Sequence, residues 1–190
     1  MKKKVLLIAL AAILLVGASI GGTLAWLTAT ASVTNTFTVG NITMSLNETT
    51  SDYKIVPGRP ISKNPKVTVA EGSEKCFVFV KIENDLKLTI DNAETVVGAP
   101  DISSAYWQPI EANSNIYVYC GGGNDPKEVD AALGDQALEV FTKVNINGAL
   151  VTKDNIENLK DKTIKITAYA HQSENTTYET AKTAAKTALG

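Results

Sequence analysis

The chain has 190 residues, and its 18 Lys and Arg stand against 20 Asp and Glu for a formal charge of −2 at pH 7. This length supports one domain with a real core and is too short to predict two. The slightly acidic balance leaves no basic surface for a polyanion, so nucleic-acid binding is not expected.

The N-terminus has the three parts of a secretory signal peptide. Residues 2–4 are lysines, residues 5–16 form an unbroken apolar run, and residues 17–19 are small. The positive start orients the segment and the short apolar core is typical of an export signal. We therefore predict a signal peptide over residues 1–25 and one secreted domain over residues 26–190. That domain keeps 15 basic and 20 acidic residues, a formal charge of −5.

Cleavage is predicted between Ala25 and Trp26, because Thr23 and Ala25 provide the small side chains that a signal peptidase requires. A second such pattern ends at Ala31. An uncleaved anchor is the alternative, since residues 5–27 are about long enough to cross a membrane, and the chain would then meet the membrane only through this leader. We favour cleavage because the uninterrupted apolar run has the length of a signal core.

Alternating apolar and polar residues predict β-structure through most of the mature chain. Val33, Asn35, Phe37 and Val39 share one face of a predicted strand, with threonines on the other face. Many short strands separated by Gly, Pro and Asn turns predict a mainly β, antiparallel sandwich or barrel-like fold. Further strands are predicted at residues 42–46, 66–69, 76–83, 86–90, 116–120, 138–146 and 162–169.

Two helices are predicted among and after these strands. Thr152 as N-cap, with Val151 and Ile156 as a hydrophobic staple, predicts a short inserted helix that ends near Leu159. Residues 176–179, Thr-Thr-Tyr-Glu, form a capping box that predicts a C-terminal helix. The predicted apolar side of that helix consists of Tyr178, Ala181, Ala185 and Ala188.

The chain contains two cysteines, Cys76 and Cys120, and an exported pair permits a disulfide. Strand alternation places Cys76 on one face with Val78, and Cys120 on one face with Val118. Both thiols are therefore predicted to point inward. This arrangement suits a bridge and suits two buried free thiols equally, because cysteine is among the most buried residue types.

The sequence contains no recognisable catalytic set. His171 is the one histidine, whereas a hydrolytic zinc site usually has three protein ligands, so no metal and no other cofactor is predicted. A Gly-x-Ser-x-Gly nucleophile motif is absent. Residues 121–126, Gly-Gly-Gly-Asn-Asp-Pro, lack the Gly-Lys-Ser/Thr ending of a phosphate-binding loop. We therefore predict that the protein is not an enzyme.

Residues 21–28, Gly-Gly-Thr-Leu-Ala-Trp-Leu-Thr, and residues 35–40, Asn-Thr-Phe-Thr-Val-Gly, resemble the leader junction of the TasA and camelysin family. The resemblance is specific over residues 17–48 and weaker beyond them. Residues 27–29, Leu-Thr-Ala, depart from it, because family members more often carry an aromatic residue or Ser/Asn and then an acid at this point.

The resemblance implies cleavage after Ala25 by a SipW-type signal peptidase, secretion to the extracellular matrix or cell surface, and a jelly-roll-like sandwich. It also implies assembly into biofilm matrix fibres with the same protein or a related exported subunit. In such fibres the N-terminal strand of one mature subunit completes a sheet of the next. Here residues 26–40 would be the mobile donor segment, and Val33, Asn35, Phe37 and Val39 its assembly strand.

Strand donation also has a physical basis that does not depend on the family. A strand freed by cleavage and attached at Gly40 can leave its own sheet, and an open sheet edge accepts a strand through ladder hydrogen bonds. Two alternatives remain open. Some family members are described as metallopeptidases, which makes a camelysin-like cell-surface metallopeptidase the enzymatic alternative, and a monomeric surface adhesin or binding module is the other.

Overall fold

The computed structural model describes residues 41–48 and 54–190. All the described residues belong to one compact unit. The predicted signal peptide and the predicted strand at residues 33–39 lie outside the described residues. The described chain is mainly β, with antiparallel sheets and one C-terminal α-helix, which confirms the predicted fold class. Its strands are β1 (Met44–Asn47), β2 (Ile61–Ser62), β3 (Lys66–Val69), β4 (Cys76–Asn84), β5 (Lys87–Ile90), β6 (Ala93–Val96), β7 (Gly98–Pro100), β8 (Trp107–Pro109), β9 (Ile116–Tyr119), β10 (Gln136–Glu139), β11 (Lys143–Ile146) and β12 (Ile164–Gln172).

One layer consists of two linked antiparallel sheets, with strand orders β1-β3-β10 and β2-β11-β7. Between them, the Lys63 N–H donates to the Thr142 carbonyl at 2.9 Å, and the Val140 N–H donates to the Pro65 carbonyl at 2.9 Å. Proline has no N–H to give to a ladder, so regular pairing is interrupted there. The single strand predicted at residues 138–146 is therefore wrong, because β10 and β11 are separate strands.

The second layer is a four-stranded antiparallel sheet in the order β12-β4-β9-β8. Strands β4 and β12 pair along nine residues, from Asn84 with Ile164 to Cys76 with Gln172. Val78 and Val80 of β4 belong to the main core, whereas Phe77 and Phe79 on the opposite face belong to a second cluster. A strand covered on both faces reads as a nearly continuous hydrophobic run, which is the sequence of β4.

The main core joins the two layers. Val67 and Val69 of β3 are fully buried in the same cluster as Val78 and Val80 of β4. Trp107 is 1% exposed, and its indole N–H donates to the Glu139 carbonyl at 2.7 Å. Its one polar group is thus satisfied by a strand of the other layer, so burial of the large ring carries no unpaired donor.

The two predicted helices exist with different boundaries. The inserted helix is a single 3-10 turn, Ile156–Leu159, that follows Asn155 without a side-chain cap, so the predicted Thr152 N-cap is wrong. The C-terminal helix α1 (Tyr178–Leu189) begins one residue later than predicted. Its N-cap is Thr177, whose hydroxyl accepts a hydrogen bond from the Thr180 N–H at 3.3 Å.

Helix α1 covers the outer face of the second layer. Ala181, Ala185 and Leu189 are its buried residues, whereas Ala188 is exposed, so the predicted apolar side is shifted by one residue at its C-terminal end. These side chains pack in the cluster that contains Phe77 and Phe79. Among the described residues, no helix is long and apolar enough to cross a membrane.

Candidate assembly edge

Most of the predicted site residues belong either to the signal-peptide cleavage point or to the strand that is predicted to be donated. Ala25, Trp26, Val33, Asn35, Phe37 and Val39 all precede residue 41 and lie outside the described residues. The structure therefore addresses the other half of the predicted assembly, which is the sheet edge that would accept a donated strand.

Strand β12 is the longest edge strand in the described part of the chain. It pairs with β4 on one side, and no other described strand pairs with it. Lys165 is its only permanently charged residue and lies at 3.6 Å from Glu83, near the start of the strand. Residues 166–172, Ile-Thr-Ala-Tyr-Ala-His-Gln, contain no Lys, Arg, Asp, Glu or Pro. Charges and prolines are the usual devices that prevent edge pairing, so this edge lacks the common protection.

The burial of β12 is consistent with an edge position. Residues 166–171 are all half-buried, whereas Phe77, Val78, Phe79 and Val80 of the neighbouring β4 are all buried. Ala168 and Ala170 face the main core with only partial cover. The inner face of β12 thus retains apolar surface that a further strand could bury.

Strand β1 lies at the same side of the molecule as β12. Strands β1 and β12 approach each other although they belong to different layers. Ile42 and Met44 are half-buried against the main core, as are Ala168 and Ala170. The two layers therefore meet at this side along a line of incompletely covered apolar residues, immediately after the predicted donor segment in the chain.

His171 takes part in a local contact on the outer face of β12. Its Nδ1 lies 2.9 Å from the Tyr169 hydroxyl, and the Tyr169 ring packs against Phe79 with centroids 6.3 Å apart. This is the arrangement of a packed and hydrogen-bonded strand residue. Among residues 41–48 and 54–190, no group of three or more His, Cys, Asp or Glu side chains could hold a metal ion.

The two cysteines are free and buried, and they lie on opposite faces of the second layer. Cys76 belongs to the main core, whereas Cys120 lies in the cluster beneath α1. Each thiol is buried on the face that it was predicted to share with neighbouring apolar residues, but the two faces belong to different clusters, and both thiols are free in the structure. Burial raises the pKa of Cys76 to about 11 from 9.0. Burial also raises the pKa of Cys120, against the opposing effect of a backbone hydrogen bond from Gln108.

A cleft that no sequence pattern indicates lies at the end of the molecule where β12 begins. Its volume is about 790 Å³. Its apolar lining includes Ile61, Leu86, Ile156 and Leu159, which come from separate segments of the chain. No local pattern connects these segments, so only the tertiary structure brings them together.

Comparisons with known proteins identify no family, since no family model, no curated protein and no solved structure matches the chain.

Proposed function

We propose that this protein is an exported structural subunit of an extracellular matrix fibre, built by donation of an N-terminal strand from one copy to the next. Residues 32–39 are the donor, and the outer edge of β12 is the acceptor. The partner is the same chain or a related exported subunit, and the fold is of the jelly-roll type. The observation that carries the proposal is the nine-residue edge of β12, which is unprotected by charge or proline over residues 166–172.

The donor sequence is compatible with this edge. Each added strand exchanges backbone N–H and C=O bonds with its neighbour, so affinity comes from the ladder and specificity from alternate side chains. Val33, Phe37 and Val39 would lie on one face of the donor. The half-buried Ala168 and Ala170 are small, so an adjoining strand with a large Phe side chain would fill the space that they leave at the margin of the core.

Donation to a neighbour generates a filament rather than a closed dimer. The donor and the acceptor are different surfaces, so each copy that accepts a strand still has its own strand to give. The contact therefore repeats along one direction, unless the rotation that relates neighbouring copies closes them into a ring. A structural subunit of this kind requires no catalytic residue, which is consistent with the absence of a recognisable catalytic set in the sequence.

The test uses a synthetic peptide with the sequence of residues 32–39 as a competitor for the acceptor edge. Added to the exported chain, the peptide should reduce the amount of sedimentable filament, because it occupies β12 without supplying a new acceptor. The control peptide carries Phe37→Asp and should inhibit weakly, since burial of a Phe side chain is worth about 1.5–3 kcal/mol. A second control with Thr36→Ser, on the opposite face, should inhibit as the parent peptide does.

Amide hydrogen exchange identifies the acceptor in the same samples. Exchange in β12 should slow when filaments form, while exchange in the central strand β4 should change little because β4 already pairs with β12 on one side and with β9 on the other. Equal filament yield with and without the competitor, together with unchanged exchange in β12, would reject strand donation to this edge. The monomeric adhesin alternative would then be preferred.

A further inference from the structure

Leu133 is an apolar side chain held in solvent at one end of the molecule. It is 99% exposed, in the loop between Val129 and β10. Single exposed leucines are common and carry no meaning by themselves. Leu133 differs because hydrogen bonds hold its loop in place on both sides. Some of these bonds lie within the loop, and others join the loop to the turn after β3.

The fastening involves two carboxylates and one carbonyl. Asp130 Oδ1 accepts from the Ala132 N–H at 3.0 Å, and Asp135 Oδ1 accepts from the Glu71 N–H at 2.8 Å. The Gly72 N–H donates to the Ala131 carbonyl at 2.9 Å. A loop held in this way loses little conformational entropy when its tip binds, so Leu133 is presented in a form suited to insertion.

The cleft lies at the opposite end of the same strands. Strand β4 begins beside the Leu133 loop, where Cys76 pairs with Val129, and ends next to Leu86, which lines the cleft. Antiparallel β12 runs from Ile164, in the cleft, to Gln172 at the loop end. The nine paired residues of each strand span eight rises of about 3.3 Å, so the two ends are roughly 26 Å apart.

The two ends carry opposite formal charge. The segments 70–75 and 127–135 at the loop end contain five acids and two lysines, a formal charge of −3. The cleft lining contains four lysines and three acids, a formal charge of +1, and Lys63 is bonded to Glu48 within it. Lys160 and Lys162 are exposed at its rim. Attraction between unlike ends favours the orientation in which the loop of one copy approaches the cleft of another.

We infer that Leu133 of one copy inserts into the cleft of the next, so that neighbouring copies meet end to end. The occupant of the cleft is thus a second copy of this chain. Leu133 would contact the apolar lining formed by residues such as Ile156 and Leu159, while Lys160 and Lys162 face the acids of the incoming loop. Because Leu133 and the cleft lie on different surfaces, the contact is heterologous and repeats along a line. The inference rests on the proposed assembly of copies but involves none of the donor residues.

Cross-linking between two single-cysteine additions tests the contact directly. Exported chain with Leu133→Cys is mixed with exported chain carrying Ile156→Cys under mild oxidation, and a disulfide-linked dimer is expected. Chain with Ala188→Cys, exposed on α1, replaces the second partner as the control and should give no dimer. The native thiols are buried in both cases, so they do not compete. Equal yields from Ile156→Cys and Ala188→Cys would overturn the inference.

A matched pair of variants measures the contribution of the apolar tip. Leu133→Asp should weaken association by roughly tenfold to a hundredfold, the equivalent of one buried leucine, whereas Leu133→Met should associate as the parent does. Residue 133 is exposed in the single chain, so neither change should affect folding, and the circular dichroism spectra should coincide. Equal association of the Asp and Met variants contradicts the inference.

The Phe37→Asp chain separates this contact from strand donation. If that chain forms no filaments and mixed filaments of the Leu133→Cys and Ile156→Cys chains give no 133–156 cross-link, the end contact is wrong and strand donation stands. If filaments form normally with Phe37→Asp and the cross-link is present, strand donation is wrong and the end contact stands.

Discussion

Cys76 and Cys120 occupy neighbouring parts of the same sheet but have different surroundings. Cys76 is fully buried in the main core, and the Cys120 thiol donates to the Val118 carbonyl at 3.6 Å beneath helix α1. A thiol buried among apolar side chains is a poor nucleophile, because the thiolate that reacts is disfavoured there. Both residues therefore act as small hydrophobic side chains at neutral pH.

Stability at alkaline pH should depend on Cys76. Its pKa is about 11 in the folded chain and about 9 without burial, so the folded state holds the thiol proton more tightly than the unfolded state. This contribution is fully present below pH 9 and is lost as pH rises towards 11. We expect the free energy of unfolding in urea to fall less between pH 8.5 and 11 in Cys76→Ala than in the parent.

The comparison isolates one group because the other residues that titrate in this range are common to both chains. Burial also raises the pKa of Tyr119 and of Tyr178, and these contribute equally to the two curves. Parallel curves for Cys76→Ala and the parent would show that the Cys76 thiol does not govern alkaline stability.

Among the elements, helix α1 is attached by two kinds of contact. Its apolar side packs Ala181, Ala185 and Leu189 against the sheet, and the Tyr178 ring lies edge-on to Phe77 at a centroid distance of 5.9 Å. On its solvent side, Lys182 lies at 3.7 Å from Glu111, and Lys186 also bonds to that carboxylate. Exposed ion pairs contribute little, so we attribute most of the attachment to packing.

Substitutions in α1 and at its ion-pair partner Glu111 should show that packing contributes more than the ion pairs to the attachment of the helix. Ala185→Asp would place a carboxylate against the apolar cluster and should lower the free energy of unfolding by about 2 kcal/mol or more. Ala188→Asp, three residues further on and exposed, should change it by less than about 1 kcal/mol. Glu111→Gln should have a small effect that disappears in high salt. Chemical denaturation followed by circular dichroism provides the three free energies of unfolding. A larger loss of this free energy for Glu111→Gln than for Ala185→Asp would contradict the conclusion that packing attaches the helix.

At the scale of the whole molecule, the described residues build two hydrophobic clusters, one between the layers and one beneath the helix. Residues 67–69 and 138–146 contribute buried side chains to the main cluster from the first layer, and residues 76–82 contribute them from the second. A core assembled in this way should support the domain when the donor segment is absent from its own sheet, as strand exchange between copies requires.

Deletion of residues 32–39 should therefore leave a soluble domain with β-type circular dichroism that no longer forms filaments. The physical reason is that the deleted residues supply the strand to be donated, while the acceptor edge and the core remain. Sedimentation at equal protein concentration measures the outcome, and the Thr36→Ser chain is the control that should polymerise normally. Filaments formed by the deletion variant at the parental yield would contradict strand donation by this segment.

The sequence alone was sufficient for the elements that depend on neighbours two to four residues apart. The β-branched and aromatic residues of segments 66–69 and 76–83 predicted β3 and nearly all of β4. Threonine followed by Tyr-Glu and small apolar residues predicted α1, and its first residue to within one position. Export, the cleavage point and strand donation remain predictions that rest on the sequence of the first forty residues.

Only the tertiary structure decided the features that depend on which strands become neighbours. The burial of Cys120 beneath α1 depends on a helix that begins 58 residues later, and the interruption between β10 and β11 depends on Pro65, which lies 75 residues before Val140. The position of β12 at the edge of its sheet, among the strands that the structure describes, follows from strand order. The separation of Leu133 from the cleft follows from antiparallel strand direction. Local periodicity reports that one face of a strand is apolar, but it carries no information about what covers that face, because the covering residues are distant in the chain.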